Sequence, residues 1–187
     1  MNNSKTPFSL IYDLFFSKVT DDMYMELTEL DTYRMLQGLL EAAIQKFEFP
    51  RIDLSDYELE EVCSISTYKG VESNQEEVTA YIYNEGCFNS ELTKEEMNII
   101  AIYMVVEWIG YQLASIENTR MKYSGSDFKF TSQANHMGKL QSMKKEYERE
   151  GFHMQRLYCR RFKDSSGVYH SSMGRIMQPL KKLKKDD

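Results

Sequence analysis

The chain is poor in the residues from which compact chemical sites are usually built. Its three cysteines, Cys63, Cys87 and Cys159, are scattered through 187 residues without a C-x-x-C pair. The three histidines, His136, His153 and His170, sit far from any cysteine pair. A structural zinc site is therefore not expected. An odd and dispersed cysteine set also excludes a disulfide framework, and a chain of this length can bury a core without staples. The opening MNNSKTPFSL lacks a basic stretch followed by a long apolar one, so no signal peptide is expected. The expected setting is intracellular, reducing and soluble.

Catalytic signatures are missing too. Ser124-Gly125-Ser126 is not a nucleophile elbow, and no Asp–His pair stands in a recognisable relation to it. Lys122 and Lys129 flank Ser124-Gly125, yet no P-loop or dinucleotide fingerprint accompanies them. His136 reads as a helix-surface or core histidine. The acidic pairs Asp21-Asp22, Glu60-Glu61 and Glu95-Glu96 suit solvated faces, and none is joined by a second pair at metal-site spacing. The expectation is a protein that is not an enzyme, with no catalytic residue, no metal and no cofactor.

What is present is a division of charge. Residues 1–119 carry 7 Lys+Arg and 22 Asp+Glu, a net of −15, whereas residues 120–187 carry 16 and 7, a net of +9. Together they give the overall −6. An acidic part joined to a basic part suits pairing within one molecule, head-to-tail contact between copies, or a basic surface for nucleic acid.

The central element is a helix over about 93–118. Thr93 caps its start, and Glu95 and Glu96 place negative charge where the helix dipole favours it. From Met97 to Ile109 only Asn98 and Glu107 are clearly polar. A surface helix shows one apolar stripe, whereas this one is apolar nearly all round and demands cover on nearly all sides. The run is read as too short and interrupted for a membrane span. Its cover must come from the rest of the domain or from another copy.

Around it, Thr6-Pro7 reads as a helix start, with Thr as cap and Pro at the first helical position. Phe8, Ile11, Tyr12, Phe15 and Phe16 follow at helical spacing. Thr28 opens a second helix, with a stripe from Leu30 to Phe47 and a stop at Pro50; Gly38 within it marks an expected close helix contact. From Arg51 to Asn89 the period changes to about two. Runs at 62–68 and 78–83 predict a β-hairpin over about 57–84, with Asn84-Glu85-Gly86 as a turn. Thr131 or Ser132 caps a last helix, bearing Ala134, Met137, Leu140, Met143 and Tyr147 on one face and ending at Gly151. The fold class expected is mainly α (α+β): a helical bundle around the central helix, one hairpin, and an extended C-terminal arm. Residues 1–151 form the domain and 152–187 the partner-docking arm.

In that arm Arg156, Arg160, Arg161, Lys163 and Arg175 are interleaved with Tyr158 and Phe162. Such a mixture suits phosphate contact and base stacking, so a nucleic-acid-binding regulator using residues 120–163 is one reading. A solvated arm, or one paired with an acidic surface on another protein, are the others.

Three stretches carry a family resemblance: Leu92–Glu96 leading into Ile99–Trp108, Thr119–His136, and Phe152–Tyr158. In order and character these segments resemble the small head–tail connector (adaptor) proteins of tailed bacteriophages, most strongly over 92–162. The hairpin departs from that family's pattern. The resemblance implies a helical domain forming a ring, a dodecamer, beneath the portal and lining the DNA channel. It implies portal docking through Phe152, Met154, Arg156, Leu157, Tyr158, Arg160, Arg161 and Arg175. Lys122, Tyr123, Phe128 and Phe130 would lie between subunits. Expected partners are the portal, the next neck protein (stopper or tail terminator) and passing genomic DNA without sequence-specific binding. No membrane is implied. The place implied is the virion neck, after synthesis in the host cytoplasm.

Overall fold

A computed structural model describes residues 5–19, 27–69, 76–122, 130–163 and 168–171, with side chains outside 29, 61–69, 76–84, 117–122, 130–134, 163 and 169. The element order is β1 (Thr6–Pro7), α1 (Phe8–Phe16), α2 (Glu29–Lys46), β2 (Tyr57–Lys69), β3 (Glu76–Phe88), α3 (Lys94–Lys122), α4 (Phe130–Arg160), β4 (Arg161–Lys163) and β5 (Tyr169–Ser171). The fold is mainly helical, with α3 packed against α1, α2 and α4 and one long hairpin beside them.

The helix α3 starts where the sequence places it. Thr93 Oγ1 accepts from the Glu96 backbone N–H at 3.3 Å, and the Glu96 carboxylate accepts from the Thr93 N–H at 2.7 Å. This is a reciprocal capping box, which satisfies orphan donors at the helix start. Ile99 to Val106, with Trp108 and Ile109, are all buried. By length and composition Lys94–Ile116 is apolar enough to cross a membrane, against the reading of it as too short. Its burial among α1, α2 and α4 is that of a core helix. The cover therefore comes from the chain itself.

The greatest share of that cover comes from α4. Glu96 meets Tyr158, Asn98 meets Met154, the Tyr103 ring faces Gly151, and Gly110 faces Lys144. As one number rises the other falls, so α3 and α4 form an antiparallel αα-hairpin. Gly151 is not the end of this helix. It lies inside α4, where a Cβ would come within 2.9 Å of the Tyr103 ring. The expected domain boundary after residue 151 thus falls within a continuous helix, and 152–160 is its last turns rather than an extended arm.

Pro7 is the cap residue of α1, in extended conformation at φ −69° and ψ 145°, so the helix starts one residue later than expected. Thr6 caps nothing. Its hydroxyl donates to Ser90 O at 3.0 Å and accepts from Leu92 N–H at 2.8 Å, tying the start of α1 to the approach to α3. Phe8, Ile11, Tyr12 and Phe15, at i, i+3, i+4 and i+7, form the buried stripe of α1. In α2, Thr28 accepts from the Asp31 N–H at 3.2 Å as the expected cap. Leu36, Leu39, Leu40 and Ala43 are its buried side, and Gly38 is not a close contact, since a Cβ there would meet nothing within 4 Å.

The hairpin pairs antiparallel from Tyr57↔Phe88 to Lys69↔Glu76 without interruption. The turn expected at 84–86 is instead strand, because β3 runs on to Phe88 and there pairs with β1 (Thr6↔Phe88, Pro7↔Cys87). The strand order β1-β3-β2 leaves β2 at an edge. At the base, Phe8 meets Phe88 and Tyr57 with ring centres at 4.9 and 5.6 Å. Gly86 leaves room for that cluster, since a Cβ would lie 2.3 Å from the Phe8 ring.

Candidate functional site

The place where the most unlike parts of the chain converge is the C-terminal end of α4. Glu96, only 2 % exposed, uses one carboxylate oxygen for the α3 cap and the other to accept from the Tyr158 hydroxyl. That hydroxyl in turn accepts from the Arg51 backbone N–H at 3.0 Å. Burial, and then the bond to Glu96, which requires the phenolic proton, hold the Tyr158 hydroxyl well above its ordinary pKa.

The Arg51 side chain completes the clasp. Its guanidinium lies over the Tyr158 ring, 4.0 Å from the centre, and donates to Tyr158 O at 2.6 Å and to Arg161 O. Tyr158 O is among the last carbonyls of α4, which lack a partner within the helix, and Arg161 O follows at the start of β4; a cation there also complements the dipole. Arg161 reaches back to Glu95 at 3.3 Å. One turn earlier, Gln155 is buried and fully used. It donates to Lys46 O at 2.9 Å and Tyr103 Oη at 2.6 Å, and accepts from Glu48 N–H at 2.9 Å. The segment after α2, the start of α3 and the end of α4 are thus sewn together by polar groups.

The clasp leaves an outward face. Phe152, Arg156 and Arg160 recur at i, i+4 and i+8 and are exposed, with the Arg156 guanidinium 5.8 Å from the Phe152 ring centre. Phe152 is 50 % exposed, and Phe49, next to the Gln155-bonded Glu48, is 66 % exposed. Two exposed phenylalanines among arginines suit a protein partner surface.

The residues expected to dock a partner therefore divide. Phe152, Arg156 and Arg160 face outward; Arg161 is exposed but paired; Met154 and Leu157 are half-buried; Tyr158 is fully buried and belongs to the core. Arg175 lies outside the described residues, as do Tyr123 and Phe128. Lys122 ends α3 and Phe130 begins α4, known by backbone position only. His136 is exposed on α4. Sequence reasoning missed Arg51, Gln155 and Tyr103 as members of one network; the only local signal was Thr93-x-x-Glu96.

Crevices open at the surface of the described residues, among them one of about 340 Å³ between α1 and α2 and one of about 110 Å³ beside Trp108 and Leu140. Among the described residues no group of three or more His, Cys, Asp or Glu could hold a metal ion. Comparison with protein-family models, curated proteins and solved structures returns no match.

Proposed function

We propose that this chain is a structural connector of a tailed-phage particle, joining others of its kind in a ring between the portal and the next neck protein, along the DNA channel. The observation that carries the reading is the C-terminal end of α4. A basic and aromatic face, Phe152, Arg156 and Arg160, is held rigid by the Arg51–Tyr158–Glu96 clasp. It stands where an acidic body passes into a basic C-terminal segment. A docking face needs that combination: fixed anchors in the middle and charge for steering. An acidic channel wall would also let DNA pass without sticking.

Mass photometry of the chain with and without portal tests the proposal. It expects a discrete ring, alone or on portal addition, and loss of docking in Phe152→Ala/Arg156→Ala. A strict monomer indifferent to portal overturns it. The nucleic-acid reading of residues 120–163 has less support, since Arg161 is paired with Glu95 and α4 also carries Glu146, Glu148 and Glu150. It predicts DNA binding that falls steeply with salt, and a low-salt gel shift without binding removes it.

A further inference from the structure

The crevice between α1 and α2 plays no part in the clasp or its outward face. Its volume of about 340 Å³ is in the range of sites that hold a small ligand or a few side chains. Ser9, Tyr12, Asp13 and Phe16 line one wall, at i, i+3, i+4 and i+7 of α1, and Tyr33 and Leu36 line the other. The lining is thus aromatic, with a carboxylate at the rim. Glu41 adds a second negative charge close enough to act on the Tyr12 hydroxyl. Ring faces beside carboxylates attract a guanidinium or ammonium carried on an apolar stem.

A basic and apolar segment of the chain has that chemistry. Residues 172–187, SMGRIMQPLKKLKKDD, carry Arg175, Lys181, Lys182, Lys184 and Lys185 among Ile176, Met177, Leu180 and Leu183. Reach is not an obstacle. β4–β5 follows the end of α4, where Arg51 sits just beyond α2, and the crevice lies along the first half of α2. The gap is on the order of the length of α2, about 27 Å for 18 residues. Sixteen extended residues span roughly 50 Å. A tether that reaches also gives a high effective concentration, near millimolar, which favours the molecule's own segment over a second copy.

We propose that residues 172–187 dock onto their own molecule in the α1–α2 crevice, with Arg or Lys side chains over Tyr12, Phe16 and Tyr33 and paired with Asp13. The inference does not rest on the connector reading, and no portal is needed to test it.

The test is photocrosslinking of the full chain with Phe16→benzoylphenylalanine, and separately Tyr33→benzoylphenylalanine, followed by peptide mapping. The expected product has the mass of one copy and joins the probe to a peptide from 172–187. Adding Asp13→Asn should lower the crosslinked fraction roughly threefold, as one partly exposed ion pair warrants, while Glu60→Gln, an exposed carboxylate on β2, should not. Products of dimer mass would assign the occupant to a second copy and overturn the proposal. So would absence of the 172–187 product from both probes, or a yield indifferent to Asp13→Asn.

Discussion

Gly38→Ala and Gly151→Ala are the same chemical change in two helices, with opposite surroundings. At Gly38 a new methyl meets nothing within 4 Å. Only the gain in helix propensity remains, about 0.8–1 kcal/mol of stabilisation. At Gly151 the same gain is offered, but the methyl would lie 2.9 Å from Tyr103 Cζ and 3.2 Å from both Cε atoms. The ring cannot swing away freely. It is nearly buried, and its hydroxyl accepts from Gln155, which is itself fixed to Lys46 O and Glu48 N–H. Overpacking of this kind costs about 1–3 kcal/mol, so the net effect is destabilisation by roughly 1 kcal/mol.

Urea and thermal unfolding followed by circular dichroism measure both, with the urea slope checked for constancy so that its midpoints report stability. Gly38→Ala should raise the thermal midpoint by about 2–4 °C. Gly151→Ala should lower it, and Tyr103→Phe, which frees the ring from Gln155, should soften the second effect in a double-mutant cycle. If Gly151→Ala stabilises as much as Gly38→Ala, the α3–α4 contact is looser than described and the reasoning fails.

Other expectations follow from the same packing. Arg51→Ala leaves the end of α4 without its cation and two bonds, and should cost about 2 kcal/mol; hydrogen exchange should quicken over 158–171 more than in α3. Glu96→Gln keeps the shape but loses the charge that both caps α3 and holds Tyr158, at about 1–3 kcal/mol by denaturant midpoint. Burial, and then the charge of Glu41, raise the Tyr12 hydroxyl above its ordinary 10.0. A raised folded value favours the protonated form in the fold, so its contribution is whole below pH 10 and is lost as pH rises beyond that. Tyr12→Phe should flatten the alkaline loss of stability by up to about 1.4 kcal/mol per pH unit. Gly86→Ala should disturb the Phe8 cluster and destabilise by about 1–3 kcal/mol, read as a lowered thermal midpoint.

The parts of the fold that were legible from sequence are those set by neighbours in sequence. Thr93, with Glu95 and Glu96 behind it, announced the start of α3, and Thr28 did the same for α2; each hydroxyl accepts from the N–H three residues on. Thr6 misled because its hydroxyl serves Ser90 and Leu92, more than eighty residues away. The two glycines misled for a related reason: a glycine's residue type does not say whether a neighbour uses the space it leaves, as at Gly151, or none does, as at Gly38. The break read after residue 151 has the same origin. Gly151, Gln155 and Tyr158 are the buried face of the last turns of α4, at helical spacing, but one is small and one polar, so no apolar stripe appears. Gln155 can be buried only because three groups from two other segments meet it.

The all-round apolar character of Met97–Ile109 was one ground for expecting a neighbouring subunit to complete the core. That ground is gone, since α1, α2 and α4 cover it within one molecule. Any ring this chain forms must then use faces that are exposed in a folded protomer, such as Phe152–Arg156–Arg160, and such interfaces are more polar than a divided core. A folded protomer should therefore outlive its assembly. Dilution of a preformed ring to nanomolar concentration should separate the copies, by mass photometry, while the helical circular dichroism per residue stays constant and unfolding remains independent of protein concentration. Loss of helix in step with dissociation would mean that a neighbour completes the core, and that the burial seen in one chain is not sufficient to hold it.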